Sequence, residues 1–317
     1  MAPFEGRYRY VGYDAIYAAR LAVREINAAG GVEGWQLELV AYDDRATPEM
    51  AQTVARNLII DPGVVAVIGH YQQETSASAQ AIYAEAGMPL LAMGAWLTGT
   101  LWHFNPPPSH IANVMLDVAA SSEPAQPVTI WGEGPLADAL ALACDRRGWQ
   151  ISSQSEAQAP AISFILLPPD ESARLLAGQS GALLGGPNLA ASEFAMIAGD
   201  AGEGVEFVTA YPFPQDVPDL DAWVTRYRAV GPHVPEPGPY ALPTYEALYA
   251  LAQAIALAID AEGWPSREGV AAMLPAVRRS GALGSIRWAD NGFLKDAPLY
   301  LYRWEQGQPR LVRRFWP

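Results

Sequence analysis

From Tyr13 to Ala28 apolar residues recur at helical spacing (Ile16, Ala19, Ala22, Val23, Ile26). The run stops at Asn27-Ala-Ala-Gly30-Gly31, where glycine supplies the left-handed backbone that closes a helix. Trp35 to Tyr42 then alternates as a strand does, and Thr47 to Ile60 returns to helical spacing behind a capping Thr47-Pro48. Val64 to Ile68 is a short β-branched run, Ser76 to Ala86 reads as helix and Pro89 to Ala92 as strand. Such alternation predicts a parallel sheet with helices on both faces, because a crossover helix must lie between parallel neighbours.

A Pro/Ser-rich stretch, Ser121 to Pro127, precedes a second series. It comprises strand Val128 to Trp131, helix Leu136 to Arg147, strands Gln150 to Ser153 and Ile162 to Leu167, helix Asp170 to Ala177 and strand Ala182 to Gly185. Helices follow at Leu220 to Val230, Tyr240 to Glu262 and Arg267 to Ser280, then closing strands Leu299 to Trp304 and Arg310 to Phe315 around Glu305-Gln306-Gly307. These elements exceed what the second lobe needs, so later segments return to the first. The reading is an α/β protein of two doubly wound, Rossmann-like lobes joined by a multi-crossover hinge.

A length of 317 residues suits two lobes of roughly 150 each. The net charge of −14 comes with no basic cluster denser than Arg278-Arg279 or Arg313-Arg314, so nothing would neutralise a row of phosphates and no nucleic-acid partner is expected. Cys144 is alone and forms no intrachain disulfide. No apolar run reaches the ~18 residues of a membrane span, and the N-terminus lacks a charged-then-apolar signal, so the chain reads as soluble, with any export signal removed or never present. The 4 histidines (His70, His103, His110, His233) have no metal spacing, and no phosphate loop, Gly-x-Ser-x-Gly elbow or His-Glu-x-x-His motif occurs. Neither catalysis nor a cofactor is expected.

Several fragments share one order: Ala22-Val-Arg-Glu-Ile-Asn-Ala-Ala-Gly-Gly31 with Gly34; Tyr42-Asp43-Asp44 and Pro48; Ile68-Gly69-His70 with Ile82-Tyr83 and Gly87; Gly94-Ala95; Ile197 to Gly204; Gly238-Pro-Tyr240 with Tyr245; and Gly284 to Gly292. Together they resemble the type I periplasmic binding-protein family, in particular its leucine/isoleucine/valine-binding branch. The resemblance implies lobe 1 from residues 1–120 and 211–290, lobe 2 from 121–210, and C-terminal strands in 291–317 belonging mainly to lobe 2. It implies hinge crossings near Ala119 to Pro127, Thr209 to Pro214 and Ala289 to Asp296. It also places a strand before Ala2-Pro3-Phe4-Glu5-Gly6 in the middle of the lobe 1 sheet. With that first strand apparently missing, an unpaired or irregular place is expected there.

Doubly wound folds bind ligands at the carboxyl ends of strands, where helix N-termini present free N–H groups. Tyr71, Gln72, Gln73, Thr75 and Ser76 stand there after Val64 to Ile68. In amino-acid-binding relatives the position of Gln73 is a Ser for the ligand carboxylate, and a Thr two residues after the glycine of Gly94-Ala95 is here Trp96. Their acidic residue for the ammonium falls near Pro187 or Asn188. An α-amino acid is therefore in doubt, since a buried ammonium needs acceptors. With Tyr8 and Tyr10 the candidate site is aromatic, suited to a flat or extended apolar ligand bearing a carboxylate or amide. Each residue also has a plainer reading: Gln73, Thr75 and Ser76 as a helix start, Trp96 and the tyrosines as packing, Asn188 as a turn, Tyr240 and Tyr245 as core. The expected protein is a monomeric, extracellular or periplasmic receptor, free or lipid-anchored through a removed signal, serving an ABC permease; the alternative is a cytoplasmic ligand sensor of the same fold.

Overall fold

The first helix, α1 (Arg9–Ala28), begins before the predicted Tyr13 because Val11 is fully buried and Gly12 lets the Pro3 carbonyl approach where a Cβ would clash. The computed structural model describes residues 1–97, 102–122, 127–152, 162–176 and 182–316. Next come α2 (Pro48–Ile60), capped by the Thr47 hydroxyl accepting from Met50 N–H, β1 (Val67–Ile68), α3 (Gln73–Glu85), β2 (Leu90–Ala92) and β3 (Trp102–His103). The three strands form a parallel sheet in the order β1-β2-β3.

Trp35 to Tyr42, predicted as a strand, joins no ladder. The N–H and C=O of Leu37 are both taken by the Asn27 side chain, at 2.8 Å each; Trp35 bridges back to Val32 across a tight turn, and Asp43, just past the run, pairs with Ala2. The irregular place expected in the first sheet thus lies between 36–43 and β1.

The chain continues with α4 (Pro108–Ser122), β4 (Val128–Trp131), α5 (Pro135–Arg146), β5 (Ile162–Ile165), α6 (Pro169–Leu176), β6 (Ala182–Gly185), α7 (Ser192–Ala198) and β7 (Glu206–Thr209). The strand read over Gln150 to Ser153 is reduced to one bridge, Val128 to Ile151, and Ser153 lies outside the described residues, as do Ala177 and 123–126 of the Pro/Ser-rich stretch. Then follow α8 (Asp221–Arg228), α9 (Ala241–Glu262), α10 (Arg267–Met273), the antiparallel hairpin β8 (Arg279–Gly281) and β9 (Gly284–Ile286), and a closing hairpin, β10 (Leu299–Glu305) and β11 (Gln308–Phe315). The helix predicted from Arg267 to Ser280 stops early: Pro275 has no N–H for a further turn, and Arg279 begins β8 instead.

Two compact units result. One is Met1–Asn105 with Phe213–Lys295; the other is Pro106–Pro212 with Asp296–Pro317. The first change of unit falls before α4, where the sequence expectation kept residues through 120 in lobe 1; α4 packs on α5 instead. The second unit holds a six-stranded sheet, β11-β10-β7-β6-β5-β4, parallel from β4 to β7 and antiparallel at β10 and β11. In the first unit α2 and α3 pack Val54, Leu58 and Tyr83 onto Val67 and Leu90, while α1, α8 and α9 share a core of Leu21, Trp223, Tyr227 and Leu242. Contrary to the sequence reading, α9 is long and apolar enough to cross a membrane, alone among the described residues; 72% of its most apolar stretch is buried inside the protein. Glu246, buried within it, is held by Arg279 at 2.8 Å.

Candidate functional site

The first turn of α3 is built to hold its own start in place. Ser76 Oγ donates to the His70 carbonyl at 3.0 Å and Thr75 Oγ1 to the Gln72 carbonyl at 3.1 Å, and both side chains are buried. Each hydroxyl thus spends its proton on the backbone, as a residue of a helix start does. Gln72, the capping residue, gives no side-chain cap, and the N–H groups of Gln73, Glu74 and Thr75 have no backbone carbonyl to donate to. Three free amides at the positive end of a helix form a site for a carboxylate or other anion.

The Gln73 side chain is engaged at both ends within the protein. Its Nε2 donates to the Trp96 carbonyl at 3.1 Å and its Oε1 accepts from Trp96 N–H at 2.9 Å. The side chain therefore acts as a peptide group, binding the loop after β2 to the start of α3. Gly94 allows that approach, since a Cβ there would collide with the Tyr71 carbonyl. Ala95 is buried, and its carbonyl accepts from His103 Nδ1 at 3.1 Å. Trp96 itself is half-buried.

Beside this turn the aromatic residues make a continuous row. Tyr8 lies 6.5 Å from Tyr10 by ring centroids, Tyr10 6.3 Å from Tyr240, and Tyr240 meets Tyr71 edge-on at 5.8 Å. Tyr71 is buried and its hydroxyl pairs with Thr244 Oγ1 at 2.6 Å; burial pushes that phenol well up, so it stays neutral. Tyr8, Tyr10 and Tyr240 are half-buried.

Tyr240 is the residue that sequence reasoning misplaced. Helical spacing grouped it with Tyr245, yet it is the residue before α9, while Tyr245 is buried with its hydroxyl on Glu25. Asp14, buried in α1, sets its position: Oδ1 accepts from Gly238 N–H at 3.1 Å and Oδ2 from Tyr240 N–H at 3.3 Å. A Cβ at residue 238 would strike that carboxylate, which explains the glycine of Gly238-Pro-Tyr240. The sequence signal was available in the spacing of Asp14 within the Tyr-rich opening of α1, but a lone acid on a helix face points nowhere by itself.

Asn188 belongs to the other unit, in the short 3-10 turn after β6, where its side-chain amide donates to the Leu167 carbonyl. It fastens that loop. His70 and Asp44 form a buried pair, Nδ1 to Oδ2 at 2.6 Å, with Nε2 3.2 Å from the Tyr83 hydroxyl. Burial, the largest influence, drives His70 down, and although burial also opposes charge on Asp44, the hydrogen bond and proximity of His70 keep that carboxyl low. The pair is a neutral imidazole on a carboxylate. Among the described residues no group of acids, histidines and cysteine is arranged to hold a metal.

In the first unit, an amide-lined helix start thus stands beside a row of aromatic rings. The sequence profile of the family described as periplasmic binding protein matches residues 1–132 and 176–309, and the chain belongs to that family. It is 27% identical over 326 residues to the leucine-, isoleucine-, valine-, threonine- and alanine-binding protein of Pseudomonas aeruginosa, covering 92% of this chain and 85% of that protein. The fold matches a leucine-binding protein from Thermotoga maritima with a TM-score of 0.84 at 20% identity, over 99% of this chain and 96% of that one. It also matches a solute-binding protein of an ABC transporter from R. palustris, solved with 4-hydroxybenzoate, with a TM-score of 0.83 at 15% identity, over 99% and 95% of the two chains.

Proposed function

We propose that this protein is the extracellular solute receptor of an ABC transporter, and that its ligand is a small carboxylate or amide with a flat aromatic body. The observation that carries this reading is the row Tyr8-Tyr10-Tyr240-Tyr71 running up to the free amides of α3. A carboxylate meets the N–H groups of Gln73, Glu74 and Thr75, and an aromatic ring lies against the half-buried tyrosines. An α-amino acid fits less well. Its ammonium needs acceptors, yet Asp14 is buried and turned to the amides of Gly238 and Tyr240, and Trp96 replaces a hydroxyl residue. The relative solved with 4-hydroxybenzoate supports the same ligand class.

In this reading the protein binds and releases without chemical change. Ligand capture shifts the populations of two conformations of the protein, and a permease reads the ligand-bound one.

Calorimetric titration with benzoate-type acids, their amides and leucine tests the proposal. An aromatic acid binds and leucine does not, and Tyr240→Ala weakens binding about 2- to 10-fold, the worth of ~0.5–1.5 kcal/mol of ring contact beyond area burial. Selective binding of leucine, unaffected by Tyr240→Ala, refutes the ligand assignment.

A further inference from the structure

Thr244 stands near the start of α9, buried, and its hydroxyl has two oxygen neighbours. Oγ1 lies 2.7 Å from the Tyr240 carbonyl and 2.6 Å from the Tyr71 hydroxyl. A carbonyl can only accept, so the one proton of Thr244 goes to Tyr240. The Tyr71 phenol is then the donor to Thr244, since otherwise two oxygens would meet at 2.6 Å with no proton between them. A threonine that bonds back to the carbonyl four residues earlier is ordinary in a helix. A buried phenol delivered to it from a loop 173 residues away in the chain is not.

This relay ties together two parts of the candidate site. Tyr71 immediately precedes Gln72 and the amides of α3, while Tyr240 carries a ring of the aromatic row. The backbone of Tyr240 is held from both sides. Asp14 Oδ2 accepts from its N–H at 3.3 Å, and its carbonyl accepts from the Thr244 N–H at 3.2 Å as well as from the hydroxyl. With the backbone fixed, the ring moves only through its side-chain torsions. Amides and ring are therefore set at one separation by hydrogen bonds within the protein.

We propose that Thr244 is a positioning residue that sets ligand specificity: by fixing the span between the amides of α3 and the Tyr240 ring, it selects aromatic acids by the number of atoms between carboxylate and ring. The inference rests on the ligand class proposed above. Thr244 is buried and acts through Tyr71 and Tyr240, not by touching the ligand. A span fixed in advance favours the one ligand length that fits, and leaves shorter or longer homologues with a contact unmade. Once the relay is cut, Tyr71 and Tyr240 adjust separately and the site accepts several lengths about equally.

The test measures Kd for benzoate, phenylacetate and phenylpropanoate, which differ in that span, on the parent protein, Thr244→Val, Thr244→Ser, Tyr71→Phe and the double variant Tyr71→Phe/Thr244→Val. The parent separates its best acid from its worst by about 10-fold or more, Thr244→Val narrows this to about 3-fold or less, and Thr244→Ser, which keeps the hydroxyl, restores it. The double variant replaces both polar partners with apolar ones, so its Tm recovers above that of Thr244→Val while its discrimination stays lost. A merely structural role would bring both back together. In the ligand-free protein, Thr244→Val and Tyr71→Phe each also speed hydrogen exchange at the Tyr240 amide. Equal discrimination in parent and Thr244→Val, no rescue by Thr244→Ser, recovered discrimination in the double variant, or unchanged exchange at Tyr240 would overturn the proposal. If none of the acids binds even the parent, the proposed ligand class fails and the selection with it, while faster exchange at Tyr240 still assigns the positioning to Thr244.

Discussion

Gln73 offers the sharpest test of how the site is held. Its side chain is one donor and one acceptor away from being a strand residue, closing both backbone groups of Trp96 at 3.1 and 2.9 Å. Gln73→Ala removes two hydrogen bonds, each worth ~0.5–1.5 kcal/mol net, and leaves the amide and carbonyl of a half-buried residue without those partners. Water reaches part of this loop, so the loss is about 2–3 kcal/mol, or roughly 5–10 °C in the melting of the unit that carries it. Gln73→Glu separates the two bonds: the carboxylate still accepts from Trp96 N–H but faces the Trp96 carbonyl with no proton to donate. That repulsion raises the introduced group's folded pKa above its unfolded value of ~4.3, so its stabilising contribution is present below ~4.3 and is lost as pH rises through the folded value. Urea melts of the three proteins at pH 4 and pH 7 should therefore show Gln73→Glu approaching the parent at pH 4 and falling to or below Gln73→Ala at pH 7. If Gln73→Ala unfolds within about 0.5 kcal/mol of the parent, the side chain does not hold this loop and the reasoning fails.

Asp14→Asn keeps the size of the side chain but turns one acceptor into a donor facing a backbone N–H, and should cost about 2–3 kcal/mol in denaturant unfolding together with a clear loss of ligand affinity; unchanged affinity would separate Asp14 from the placement of Tyr240. Acidification should weaken the fold below pH 6.5. His70, driven down by burial, stays neutral in the folded protein where the unfolded chain takes up a proton, so stability falls as pH falls below its ordinary 6.5. His70→Gln should flatten that part of a calorimetric Tm profile, and an unchanged profile would show that the imidazole does not carry the pH dependence.

Much of the architecture was legible because its determinants are local. Gly30-Gly31 ends α1, Thr47 caps α2, and Gln306 and Gly307, both at positive φ, turn β10 into β11. The elements that failed depend on neighbours. Trp35 to Tyr42 alternates as a strand should, but a strand exists only beside another backbone, and Asn27 is a side chain. α4 went unread although Ile111, Met115 and Val118 lie at helical spacing, because the proline-rich approach to it reads as linker. In the candidate site, the location of the α3 turn was readable, but the direction of each side chain was not. Gln73 and Ser76 look alike as outward polar groups until the carbonyls they serve are seen.

The order in which the ribosome releases the chain also matters. β7 finds its outer neighbour in β10, and only residues beyond 298 supply it. Until then the parallel sheet from β4 to β7 has an open edge, while α8, α9 and α10 must be threaded back onto the first unit before that edge is covered. An unpaired β7 carrying Phe207 and Val208 is a template for another nascent chain. Yield during synthesis should therefore depend on the last twenty or so residues far more than their share of the fold suggests, and loss of the closing hairpin would be felt first as aggregation rather than as lost affinity.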